Sequence, residues 1–291
     1  MKLVFIHGRA QGAFEALDLK ATWIKTLNEG LKKSGLTLPI SEEDVIFPYY
    51  GKLLDKLVLD FNEPVKEIIE KGSGAGTADA QFFRDFLQEV ADNANVTQAD
   101  IEEENPTEVT EKGILNWPWV QAILQAVDKK SQWSEASLKK FTYDVFLYLT
   151  NPAIKTQINN EVTKLLDNEP CLFVEHSLGT VVGYNVLRDH PELKVAKYIT
   201  LGSPLGISAV KKYLKAPIKM PECVKNGWFN AFDDRDVVAL NPLNNRFFDI
   251  SPSIQNKSDV NNQTENRHGI IGYLNDKAVA KEIYDALKKG I

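Results

Sequence analysis

The chain has 291 residues, 43% of them hydrophobic and 25% charged, with 34 Lys and Arg against 40 Asp and Glu and a formal net charge of −6. That length can bury one large core, or a core with an inserted subdomain, and the acidic balance gives no reason to expect a nucleic-acid partner. No run of about 18 apolar residues exists to span a membrane, and the two cysteines, Cys171 and Cys223, make neither a disulfide framework nor a zinc spacing.

The chain opens Met1-Lys2-Leu3-Val4-Phe5-Ile6-His7-Gly8, which enters a strand over residues 2–7 at once. Such a start leaves no room for a signal peptide, so a cytoplasmic address is expected. A helix is predicted over 20–33, where Trp23, Leu27 and Leu31 share a face, and a second strand over 44–49. From 52 to 150 the pattern changes. Phe82, Phe86 and Val90, then Trp119, Ile123 and Val127, then Phe141, Val145 and Tyr148 all recur at helical spacing. Gly72 to Gly76 and the acidic stretch Asp100 to Glu111 read as loops between these helices. The glycine run follows a helical segment and lacks a third spaced glycine, which argues against a dinucleotide site. Nearly a hundred residues is too long for a loop in a compact domain. The expected organisation is therefore a core of residues 1–51 and 151–291 carrying an inserted helical cap, 52–150.

Beyond a helix marked by Ile154, Ile158 and Val162, strands and helices alternate. Strands are predicted at 171–175, 196–202, 228–233 and 246–250, with a last helix through Val279, Ile283 and Leu287. This alternation predicts an α/β fold: a mostly parallel sheet of about six strands covered on both faces, with functional residues at the strand C-termini.

The most informative stretch is Phe173-Val174-Glu175-His176-Ser177-Leu178-Gly179-Thr180. A buried strand that turns sharply into a helix exposes the residue at the turn and aims the helix N-terminus at it, which presents Ser177 as a nucleophile. His7-Gly8 at the end of the first strand lets backbone approach closely, making the Arg9 and Leu178 amides the two candidate oxyanion donors. A carboxylate to orient a histidine is expected after the 228–233 strand, where Asp233, Asp234 and Asp236 compete. Among four histidines, His7 belongs to the oxyanion turn, the His176 side chain is expected to leave on the other side of the strand, and His190 ends a surface helix. His268 alone follows both the serine and the aspartates on a loop at the right end of the sheet, giving the order Ser, Asp, His.

With these pieces the chain resembles the α/β-hydrolases, and more narrowly bacterial serine hydrolases of lipase/esterase type. The similarity rests on His7-Gly8, His176 to Val182, Leu201-Gly202-Ser203-Pro204-Leu205-Gly206, Trp228-x-Asn230, Asp236-Val237-Val238-Ala239, and His268 followed by Tyr273. It implies a catalytic triad of Ser177, Asp236 and His268, and a sheet lacking the first two strands of larger members. Glu175 departs from the pattern, since a small residue usually stands two before the serine.

The expected activity is cleavage of a carboxylic ester, lipid-like in character, through an acyl-enzyme that needs neither metal nor organic cofactor. A thioesterase or amidase using the same triad, and a catalytically silent interaction module, are the alternatives. Trp117 and Trp119 are the cap residues expected to touch substrate. The oligomeric state is left open by the sequence.

Overall fold

The computed structural model of the chain describes residues 1–9, 11–60, 78–104 and 117–290, without the side chains of 78–80, 117 and 118. Strand β1 (Lys2–Ile6) is apolar on both faces, as a strand covered on two sides must be. It lies between β2 (Val45–Ile46) and β3 (Cys171–His176), and the sheet continues through β4 (Val195–Leu201), β5 (Trp228–Ala231) and β6 (Gln255–Lys257). All five pairings are parallel, in the order β2-β1-β3-β4-β5-β6. Ile6 stands opposite Glu175, His176 opposite Leu201, and Leu201 opposite Ala231, so these four strands end along one edge.

Successive side chains of a strand point to opposite faces, and the core divides accordingly. Leu3, Phe5, Val174 and Ile199 pack towards α1 (Ala16–Lys32), which starts a turn earlier than its periodicity suggested. Val4, Ile6, Phe173 and Tyr198 face the other way. Between β2 and β3 the described elements are helices: α2 (Gly51–Asp60), α3 (Ala78–Asn93), α4 (Gln98–Glu104), α5 (Trp117–Lys130), α6 (Glu135–Thr150) and α7 (Pro152–Thr163). Their buried side chains, among them Phe86, Ile123, Phe141 and Tyr148, form one apolar cluster with Val4, Ile6 and Phe173 of the sheet. Helix α8 (Leu178–Asp189) follows β3, the short α9 (Ser208–Lys211) follows β4, and α10 (Ile270–Leu274) with α11 (Lys277–Lys289) ends the chain. None of the described helices is long and apolar enough to cross a membrane.

Two expectations about local structure need correction. The acidic stretch from Asp100 begins inside α4 rather than in a loop, because Thr97 and Asp100 cap it reciprocally: the Thr97 N–H donates to Asp100 Oδ2 at 2.6 Å and the Asp100 N–H to Thr97 Oγ1 at 3.3 Å. The remainder of that stretch, and Gly72 to Gly76, lie outside the described residues. Residues 246–250 are not a strand. Asn244 folds them into a turn, its side-chain oxygen accepting from the Arg246 and Phe247 amides at 3.0 and 3.3 Å. The last strand is Gln255–Lys257, too short and polar to show a strand pattern.

Candidate active site

Ser177 stands between β3 and α8 with φ 59° and ψ −131°, a left-handed conformation costly for a residue with a Cβ. Two glycines let the backbone close around it. A Cβ on Gly179 would lie 2.5 Å from the Ile6 carbonyl oxygen, and one on Gly8 would lie 2.7 Å from Ser177 Cβ. The first strand's exit loop thus passes directly beside the serine. Neither the Arg9 nor the Leu178 amide meets a backbone acceptor among the described residues.

His268 Nε2 is 2.7 Å from Ser177 Oγ, and its Nδ1 is 2.6 Å from Asp236 Oδ2. All three side chains are buried. With the carboxylate accepting from Nδ1–H, Nε2 is left to take the serine proton. Among the competing acids, Asp233 and Asp234 are elsewhere. Asp233 accepts from both Arg235 Nε and Nη2 at 2.9 Å and from the Asn262 amide at 2.7 Å, fastening the histidine loop to the end of β5. Asp234 is exposed and lies 3.6 Å from Arg235 Nε. The Tyr273 hydroxyl donates to Asp236 Oδ2 at 2.8 Å, so one carboxylate oxygen receives both the imidazole and the phenol.

The loop that carries His268 is shaped by its polar residues. Asn262 Oδ1 accepts from Thr264 Oγ1 at 2.6 Å, Thr264 Oγ1 accepts from the Gly269 amide at 2.8 Å, and Asn262 Nδ2 donates to the Gly269 carbonyl at 2.9 Å. His176 completes the hold. Its side chain does not leave the site as expected: it takes the face opposite Glu175, which the histidine loop crosses, and its ring lies 4.9 Å from that of His268, centroid to centroid. Its Nε2–H donates to the His268 carbonyl at 2.6 Å, and burial holds its pKa well below the usual histidine range. His7 plays a similar part on the other side. Its Nδ1–H donates to the Gly8 carbonyl at 2.6 Å while Nε2 accepts the Tyr50 amide at 3.1 Å, and burial lowers its pKa to about 4. His190 pairs with Glu192 at 2.8 Å on the surface.

Glu175 points away from the site, beneath α8. Its Oε2 accepts the Tyr198 hydroxyl at 2.6 Å, its Oε1 has no partner among the described residues, and burial raises its pKa well above the usual carboxylate range. Room for it comes from Gly183, where a Cβ would meet Glu175 Oε1 at 1.5 Å. The small residue that helix and strand need here is therefore on the helix instead of the strand.

A cavity of about 380 Å³ opens onto Ser177 and His268. Leu19, Trp23 and Ile270 give it an apolar wall, Phe14 and Ile271 reach its exposed rim, and Trp133 and Phe141 reach it from the helical segment. The Trp133 and Phe141 rings lie 5.1 and 5.7 Å from the His268 ring, centroid to centroid. Trp119 is not among the residues that line this cavity; it packs against the helical core, and the side chain of Trp117 lies outside the described residues. Trp133 and Phe141 carry only an ordinary helical-core pattern in the sequence, so nothing there distinguishes them. No protein-family model, curated protein or solved structure matches this chain.

Proposed function

We propose that this chain is a serine hydrolase of the α/β-hydrolase type that cleaves carboxylic esters, with the helical segment 52–150 as a cap over its site. The observation that carries the reading is the continuous chain Ser177 Oγ, His268, Asp236, closed by contacts of 2.7 and 2.6 Å at a left-handed strand-to-helix turn. In the proposed cycle Ser177 Oγ attacks the substrate carbonyl carbon while its proton passes to His268 Nε2. Asp236 stabilises the imidazolium so formed, and the Arg9 and Leu178 amides receive the oxyanion. Collapse of the tetrahedral adduct breaks the bond to the alcohol, which leaves with the proton from Nε2. Water then attacks the acyl-enzyme, giving its proton to His268, and Ser177 recovers its own as the acid departs. No step needs a redox partner. The largely apolar cavity favours an acyl group of hydrocarbon character over a polar one.

Intact-mass analysis after treatment with a fluorophosphonate tests the reading. A single adduct on the parent, absent from Ser177→Ala and His268→Ala, is expected. An unlabelled parent beside a labelled control esterase would leave the silent interaction module as the better account. Initial rates on an ester, thioester and anilide of one acyl group then fix the leaving-group class, with the ester expected to turn over fastest.

A further inference from the structure

In the hydrolase reading the loop between β1 and α1 must hold the Arg9 amide beside Ser177, yet little in its described backbone restrains it. It contains Gly8, runs beyond the end of the sheet ladder, and shows the Phe14 amide to Gln11 carbonyl as its own turn bond among the described residues. Side chains restrain it instead: His7 Nδ1–H holds the Gly8 carbonyl at 2.6 Å, the Tyr49 hydroxyl lies 2.8 Å from the Phe14 carbonyl oxygen, and the Arg9 side chain ties the loop to the helical segment. Arg9 Nε donates to Asp144 Oδ2 on α6 at 2.6 Å, and Nη1 reaches the Ser137 carbonyl of the same helix at 3.4 Å. The Arg9 side chain is 11% exposed and that of Asp144 1%. A carboxylate so deeply placed is costly unless paired, and its other oxygen, Oδ1, has no partner among the described residues. Arg9 is thus the group that Asp144 serves. On the far side, Gln11 Nε2 donates to the Arg9 carbonyl at 3.0 Å, and the Tyr49 hydroxyl to the Gln11 carbonyl at 3.0 Å.

We infer that Asp144 is a positioning residue for the oxyanion hole: by fixing the Arg9 guanidinium it fixes the Arg9 peptide amide, so helix α6 takes part in building the site. This rests on the serine-hydrolase reading above. It also gives the helical segment a second task besides covering the cavity, because a helix that moved away would take the anchor of one oxyanion donor with it. A donor displaced from the oxyanion is felt in the transition state more than in substrate binding, so the effect belongs to kcat rather than KM.

The test is steady-state hydrolysis of p-nitrophenyl butyrate, with fluorophosphonate labelling in parallel, on the parent, Asp144→Ala, Asp144→Asn, Arg9→Ala and the double Ala variant. Asp144→Ala is expected to lose roughly 10- to 100-fold in kcat, with KM within about threefold, less than the full loss of an oxyanion donor. Asp144→Asn keeps an oxygen for Arg9 Nε and should recover part of that loss. The double variant should be no slower than about twofold below the slower single, because both substitutions break one contact. A folded Asp144→Ala enzyme with unchanged kcat, a change in KM alone, or singles whose losses multiply in the double would overturn the inference. If Asp144→Ala does not fold, Asp144→Asn and Arg9→Lys decide it, each expected to lower kcat by roughly 3- to 10-fold. A parent that labels beside variants of undiminished kcat sinks only the positioning role. A parent that neither labels nor turns over sinks the hydrolase reading, and the positioning role with it.

Discussion

Glu175, two residues before the serine, is fully buried, and among the described residues no cation neighbours it; the Tyr198 hydroxyl is the group there that favours the charged form. Burial keeps its proton on in the folded chain to a higher pH than in the unfolded chain. The folded state therefore binds the extra proton, and the stability this gives is complete below about pH 4.5 and is lost as pH rises towards the raised folded value. Glu175→Gln keeps the shape without the charge. It is expected to be more stable than the parent by a margin that grows on the order of 1 kcal/mol per pH unit above 4.5. Urea midpoints taken from pH 4.5 to 8 check this, and parallel curves for the two proteins would refute it. Tyr273 makes the complementary case. Tyr273→Phe removes the hydroxyl that donates to Asp236 Oδ2, and a bond to a charged acceptor is worth about 1.5–3 kcal/mol. A loss of that order in urea unfolding is expected, together with a lower kcat if Asp236 loses its aim. At this scale Ser177 and His268 were legible from motif and elimination, and Asp236 from the resemblance. The contact of His176 with the His268 carbonyl was not, because parity along a strand gives the face a side chain takes and not the loop that will cross it.

The elbow depends on how closely α8 lies on β3, and Gly183 sets that closeness on the helix side. Gly183→Ala forces a methyl into the Glu175 carboxyl, an overpacking expected to cost about 1–3 kcal/mol. In a Glu175→Ala background the same substitution should be neutral or stabilising, since the obstruction is gone and alanine is the better helix former by about 1 kcal/mol. Equal costs in the two backgrounds, measured by chemical denaturation, would show that the pair is not coupled. Helix α7 depends instead on the residue that caps its N-terminus: the Asn151 side chain accepts from the Ala153 and Ile154 amides at 3.0 and 3.2 Å. Asn151→Ala should cost about 1 kcal/mol, read as a lower melting temperature with the active-site labelling unchanged. Most of the described helices and the first five strands announce themselves in the sequence. The last strand does not. Phe247, Phe248 and Ile250 look like a strand, but the side chain of Asn244 captures the backbone first, and the sheet takes up a polar tripeptide whose Asn256 side chain accepts from Asn230 Nδ2 of β5 at 3.0 Å.

Across the whole molecule, the sheet separates two apolar layers, and the site sits where β1, β3 and β5 end beneath the helical segment. Two histidines of this edge, His7 and His176, are buried and neutral, with pKa values held down by burial. For each, the unfolded chain takes up a proton near pH 6.5 that the folded chain refuses until lower pH. The stability so gained is present above 6.5 and is lost as pH falls, for His7 down to about 4. Glu175 works in the opposite sense above 4.5, so acidification from pH 6.5 to 4.5 should lower the urea midpoint of the parent, and lower that of Glu175→Gln more steeply. A midpoint that rises over this range would contradict the assigned burial of the two histidines.

By itself the sequence determined the alternation of strand and helix, the turn at Ser177 and the chain order of serine, aspartates and histidine. These are local or linear properties, written in periodicity, in glycine at close approaches and in residue type. Tertiary structure alone decided the rest: that Asp233 would tie down the histidine loop, that Trp133 and Phe141 would stand over the imidazole, and that Asp144 would reach Arg9 across 135 positions of chain. Each is a contact between segments remote in sequence, fixed by the packing of the helical residues onto the sheet, and no residue carries in its own neighbourhood a record of what the fold will set against it.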